Sequence, residues 1–219
     1  MRCFIGIDLG STTTKAVVID EDQNILGRGI TNSRSNYDTA ATLAKQEALV
    51  NSRFFLFRQA LGDTKALNGS LDGFLSQLER DFRAEQYMEQ LADLEQTCQR
   101  SLVTANFGKD AAAVGEALKE VFRRLQAEAP SLFAPGAKRK SDFFRDIAGS
   151  QYLATGEAVA KEAATRYDYL LNVFDRSIIE VENRVYSDSI RRHLLAALER
   201  TFAAMPETES RRSQVEAPI

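Results

Sequence analysis

Strand-like patterning in this 219-residue sequence is confined to the first 31 positions, and that confinement limits the fold more than any other feature. Cys3 to Ile7 alternates and then runs apolar, Lys15 to Asp20 is β-branched, and Asn24 to Thr31 gives a third strand pattern. The polar run DEDQN between the last two has hairpin-turn composition. The three segments together predict an antiparallel β-meander. From Tyr37 onward Ala, Leu, Glu, Gln, Arg and Lys dominate and almost no strand pattern remains, so the expected class is α+β, a meander followed by a large helical region.

Breaks rich in Gly and Pro at 61–70, 104–110 and 129–141 divide that region. Helices are predicted over about 38–61, 71–102, 110–128, 141–149 and 151–204, with Asp38, Ser70 and Ser141 as N-cap candidates. In the last of these, Val159, Ala163, Tyr167, Leu170, Phe174, Ile178, Val181 and Val185 recur at an eleven-residue period. That period is close to the pitch of a straight helix and predicts one long helix folded against residues 71–102. The polar tail after Met205 carries no pattern and is expected to be disordered. The expected division is 1–37, 38–205 and 206–219.

An apolar fraction of 44% is enough to fill a core, and a formal charge of −3 gives no basic field for nucleic acid or a membrane surface. Cys3 and Cys98 are too few for a disulfide framework or a cluster ligand set. No apolar run approaches the roughly 20 residues that span a bilayer, and the start lacks a signal-peptide core. The reading at this level is a soluble, cytoplasmic protein with no nucleic-acid or membrane partner.

Within the meander, GIDLGSTTTKAVVID (residues 6–20) breaks a strand with small and hydroxyl residues and then resumes it. One reading is a hydroxyl-rich hairpin turn and nothing more. The other is a phosphate loop. Asp8 ends one strand, Gly10 turns the chain, and amides and hydroxyls of Gly10, Ser11, Thr12, Thr13 and Thr14 line a concavity before Lys15 begins the next strand. Such a loop offers neutral donors and one cation to phosphate oxygens, with Asp8 available to a hydrated divalent metal. The Walker order of glycine, lysine and hydroxyl before a helix is absent.

The stretch GIDLGSTTTKAVVIDEDQNILGRG resembles the first phosphate motif of the actin-like ATPase superfamily, and most closely the branch holding benzoyl-CoA reductase ATPase subunits and activators of 2-hydroxyacyl-CoA dehydratases, the BadF/BadG/BcrA/BcrD type. ITNSRSNYDTAATLAKQEALV and KRKSDFFRDIAGSQYL are more similar to the larger reductase ATPase subunits than to the compact activators. The resemblance implies part of an actin-like, ribonuclease H-like lobe. It implies that Gly10 to Thr14 embrace the ATP β- and γ-phosphates, that Lys15 reaches phosphate oxygens, and that Asp8 orients the magnesium shell and the attacking water. It also implies an iron–sulfur cluster in the complete assembly, a ferredoxin-type donor, and other reductase subunits as partners. The second phosphate loop, the adenosine motif and the cluster cysteines of such subunits do not occur in this sequence. The resemblance therefore covers an N-terminal portion, with a second ATPase lobe supplied elsewhere and the chain alone expected to be inactive. The alternatives are a helical assembly module with a remnant loop, or another actin-like kinase.

Other residues carry less. Lys138, Arg139 and Lys140 beside Phe143, Phe144 and Arg145 read as a solvated helix entry before a patch for an acidic partner. His193, between arginines, reads as a surface residue. Glu180, Glu182 and Glu199 read as solvated or locally paired carboxylates.

Overall fold

The computed structural model describes residues 2–33, 36–64, 67–104, 107–139 and 141–218. Three strands, β1 (Cys3–Leu9), β2 (Thr13–Asp20) and β3 (Ile25–Asn32), form one antiparallel sheet in the order β1-β2-β3, so the meander and the α+β class are as the sequence predicts. Asp20 closes the second turn, its Oδ1 accepting from the N–H groups of Asp22 and Asn24. A bulge follows at Val18/Ile19, where Val18 pairs with Gly27 and Ile19 with Ile25. Helices α1 (Tyr37–Thr64), α2 (Leu71–Thr104), α3 (Ala111–Leu132), α4 (Phe144–Glu162), α5 (Tyr167–Glu182), α6 (Ile190–Ala204) and α7 (Arg212–Glu216) complete the chain, with short 3-10 turns between some of them.

The chain divides into two compact units, one of residues 1–82 and 185–219 and the other of residues 83–184. In the first unit α1 covers one face of the sheet. Its entry is capped by Asn36, whose Oδ1 accepts from the N–H groups of Asp38 and Thr39, two residues earlier than the expected Asp38 cap. Ala40, Ala44 and Ala48 are fully buried at four-residue spacing, and Ala44 and Ala48 pack with Ala16, Val18 and Leu26. The approach is close because β3 is glycine there. A Cβ at Gly29 would lie 2.1 Å from the carbonyl oxygen of Ala44, and one at Gly27 would lie 2.4 Å from that of Ala48.

Further along, α1, α2, α6 and α7 enclose a second cluster in which Phe54 meets Phe82 edge-on at 5.1 Å and Phe74 lies 5.4 Å from Phe202. The described residues after Met205 take up regular structure. Pro206–Arg211 form a 3-10 turn, Val215 of α7 is fully buried, and Arg212 lies 4.4 Å above the Phe202 ring. The apolar anchor and the cation–ring contact hold a tail whose polar composition predicts disorder.

The second unit is a helical body. The later part of α2 packs with α3, α4 and α5 around Leu91, Leu94, Leu118, Phe122, Tyr152 and Phe174. Tyr152 stacks on Phe174 at 4.3 Å, and its buried hydroxyl donates to the Leu170 carbonyl at 3.0 Å. The predicted continuous helix over 151–204 is three helices. Ala164 adopts φ of 49°, and the Thr165 N–H turns back to the Ala160 carbonyl at 3.0 Å, ending α4. The stripe survives in pieces: Val159, Leu170, Phe174, Ile178 and Val181 are buried, whereas Ala163 and Val185 are exposed.

Candidate functional site

The β1–β2 hairpin holds every residue the sequence nominates for nucleotide chemistry. The strand break is shorter than the composition suggests: only Gly10, Ser11 and Thr12 form the turn, while Thr13, Thr14 and Lys15 already belong to β2. Gly10 is required by proximity, since a Cβ there would sit 2.6 Å from the Thr13 carbonyl oxygen. Ser11 and Thr12 are exposed at the tip.

Pairing sorts the remaining residues by face. Asp8 stands opposite Lys15 and Leu9 opposite Thr14, and side chains alternate along each strand. Asp8 and Lys15 thus share the face away from α1, with the Lys15 Nζ 3.9 Å from Asp8 Oδ2 and both side chains more than half exposed. At that length and exposure the pair contributes little to stability, and neither charge is saturated by its neighbour. Thr13 lies on the same face as Lys15. Thr14 points the other way, is fully buried, and lies 3.0 Å from the Ser33 hydroxyl. Its hydroxyl is engaged inside the fold, so the hydroxyls of the loop do not all point into one concavity.

Ser33 is the residue that sequence reasoning missed. Just beyond β3, its hydroxyl donates to the Gly10 carbonyl at 2.5 Å, and its N–H donates to the Thr12 carbonyl at 2.8 Å. The turn is clamped from both sides by one serine 23 positions from Gly10. The only trace in the sequence is a hydroxyl residue where the third strand runs out.

Other candidates are absorbed by the fold. His193 is buried and meets the Phe82 ring edge-on at 6.0 Å, which corrects its reading as a surface residue. Helical spacing explains this, since His193, Ala197 and Thr201 occupy one buried stripe of α6. The Cys98 thiol is fully buried and pushed up to about 12 by desolvation, while Cys3 is exposed in β1. Arg139 bonds to the Leu132 carbonyl and to Asp142, and Arg145 pairs with Glu182 at 3.3 Å; Lys140 lies outside the described residues. Glu180 pairs with Arg100 and Arg184, and Glu199 with Arg212. An open polar recess of about 350 Å³ in the helical unit, lined by Arg124, Glu128, Ser150, Gln151 and Thr155 among others, contains none of the nominated residues. Among the described residues no three His, Cys, Asp or Glu side chains are grouped so as to hold a metal, and no helix is long and apolar enough to cross a membrane.

A three-stranded meander with a glycine-turned hydroxyl hairpin, flanked by an open carboxylate and ammonium, belongs with ATPase modules of the actin-like type. The family is specific: the BadF/BadG/BcrA/BcrD ATPase family model matches residues 5–201, and the chain belongs to that family. No curated protein and no solved structure matches it.

Proposed function

We propose that this chain is the ATPase-type subunit of a benzoyl-CoA reductase-like system, in which ATP hydrolysis drives low-potential electron transfer to an aromatic thioester, and that the β1–β2 hairpin is its first phosphate loop. One observation carries the reading. Asp8 and Lys15 are cross-strand partners on one open face, beside a turn held rigid by Ser33. A preorganised loop offers amide donors without first having to be ordered.

In this reading Lys15 holds a γ- or β-phosphate oxygen as a point charge, the N–H groups of the turn cradle the others, and the Asp8 carboxylate accepts hydrogen bonds from ordered water. Magnesium, when bound, neutralises phosphate charge, and a lone exposed carboxylate suits an ion that keeps most of its water and shares its phosphates with the protein. Adenine contacts and the second set of phosphate contacts come from a further lobe, and the iron–sulfur cluster, the ferredoxin-type donor and the remaining reductase subunits belong to the assembly, with a cytoplasmic location.

The test is ATP hydrolysis by that assembly. Asp8→Asn is expected to lower turnover far more than binding, and Lys15→Ala to weaken both. Turnover unchanged by Asp8→Asn would remove the assignment.

A second reading, a helical assembly module with a remnant loop, draws on the helical unit, which has its own filled core and contains none of the nominated residues. It predicts full assembly by an Asp8→Asn, Lys15→Ala double variant with function retained.

A further inference from the structure

The peptide unit that follows a glycine is the least restrained in a chain, because no Cβ limits the torsions on the glycine side. In the β1–β2 turn that unit is Gly10–Ser11. Ser33 holds it, its hydroxyl donating to the Gly10 carbonyl at 2.5 Å. A hydroxyl has one proton to give. With that proton committed to Gly10, the 3.0 Å contact between Ser33 and Thr14 has Thr14 as its donor, so the hydrogen bonds run from Thr14 to Ser33 to Gly10.

This series of bonds also has a side. Thr14 and Thr31 are cross-strand partners, both buried, and Ser33 lies two residues beyond Thr31 in the same alternation. The Gly10 carbonyl is therefore turned toward the face of the sheet that meets α1. Among the described residues no peptide bond is cis, and in a planar trans unit the N–H points opposite to the C=O. The Ser11 N–H is thus directed to the other face, which carries Asp8 and Lys15.

We propose that Ser33 is a positioning residue of the phosphate site: it aims the Ser11 N–H, on the same face as the Lys15 ammonium, at a phosphate oxygen, and Thr14 holds Ser33 in that role. The inference rests on the reading of the hairpin as a phosphate loop, and it adds which amide binds and what orients it. Ser33 itself touches no ligand. Turning the Ser11 N–H away requires breaking the bond from Ser33 to Gly10, so the donor is in place before a phosphate arrives.

Amide-resolved titration of the isotope-labelled full chain with magnesium–ATP tests this. In the unaltered chain the Ser11 amide proton is expected to move downfield more than any other amide of the turn. Ser33→Ala weakens binding about tenfold, the scale of one hydrogen bond to a charged oxygen, and removes the Ser11 response while the Lys15 response persists. Ser33→Thr keeps the hydroxyl and restores both. Affinity and Ser11 response unchanged in Ser33→Ala overturn the proposal and leave the phosphate loop standing, as does a largest shift at a turn amide other than Ser11. A hairpin silent to the nucleotide in the unaltered chain overturns both readings. The comparison among turn amides needs no variant, so it decides the matter even if Ser33→Ala fails to fold.

Discussion

The two units use opposite means of packing. The helical unit fills its interior with large side chains, Phe122, Tyr152 and Phe174 among them. The sheet of the other unit is packed by subtraction: alanines of α1 lie on glycines of β3, and one whole strand is left uncovered. A large apolar core stabilises by burial and tolerates some repacking, whereas a backbone-on-backbone contact has no side chain that can give way. The residues proposed for nucleotide chemistry sit in the second kind of structure, where hydrogen bonds from Ser33 hold the turn.

This contrast makes a ranked set of predictions. Phe122→Ala, which opens a cavity in the helical core, is expected to cost about 3–5 kcal/mol, read by denaturant unfolding. Residue-resolved hydrogen exchange should place that loss in residues 83–184; equal loss in the sheet would break the distinction between the units. Gly29→Ala forces α1 off β3 and is expected to cost about 1–3 kcal/mol, with faster exchange in β2, β3 and α1. A neutral result would mean that the helix shifts freely, contrary to packing by subtraction.

The Ser33→Ala change removes the side-chain half of the clamp, leaving the Gly10 carbonyl without that donor while the backbone N–H still reaches the Thr12 carbonyl. About 1 kcal/mol is expected, with exchange speeding at Gly10 to Thr14 and not in the helical unit. The smallest effect is chemical. Cys3 should react with a thiol reagent in the native protein and Cys98 only after unfolding, because a buried thiol held neutral is a poor nucleophile. Two reactive thiols in the native state would mean that the helical core opens readily.

These distinctions were legible in the sequence to different depths. The meander could be read because period-two strands and the DEDQN turn are local signals, and so could the grouping of Asp8, Gly10 and Lys15 on one hairpin. The clamp could not, because Ser33 reaches Gly10 only through the pairing of all three strands. The end of α4 was equally hidden. Ala164 takes the left-handed conformation usually filled by glycine, and nothing in its residue type marks a break. His193 was misread because its arginine neighbours are adjacent in sequence, while the face it shares with Ala197 and Thr201 is set by helical spacing. The order of the tail depends on Val215 reaching a cluster built from α1, α2 and α6 and on Arg212 meeting Phe202 and Glu199 of α6.

The central claim is that the β1–β2 hairpin binds the phosphates of a nucleotide. Titration of the isotope-labelled chain with magnesium–ATP, followed by amide chemical shifts, tests it most directly. The account predicts weak, millimolar-range binding, since the hairpin contacts phosphate from one side only. Shifts should be concentrated at Asp8 and Gly10 to Lys15 and be lost in Lys15→Ala. Shifts centred elsewhere, such as the recess around Arg124, or a hairpin that does not respond at all, would contradict it.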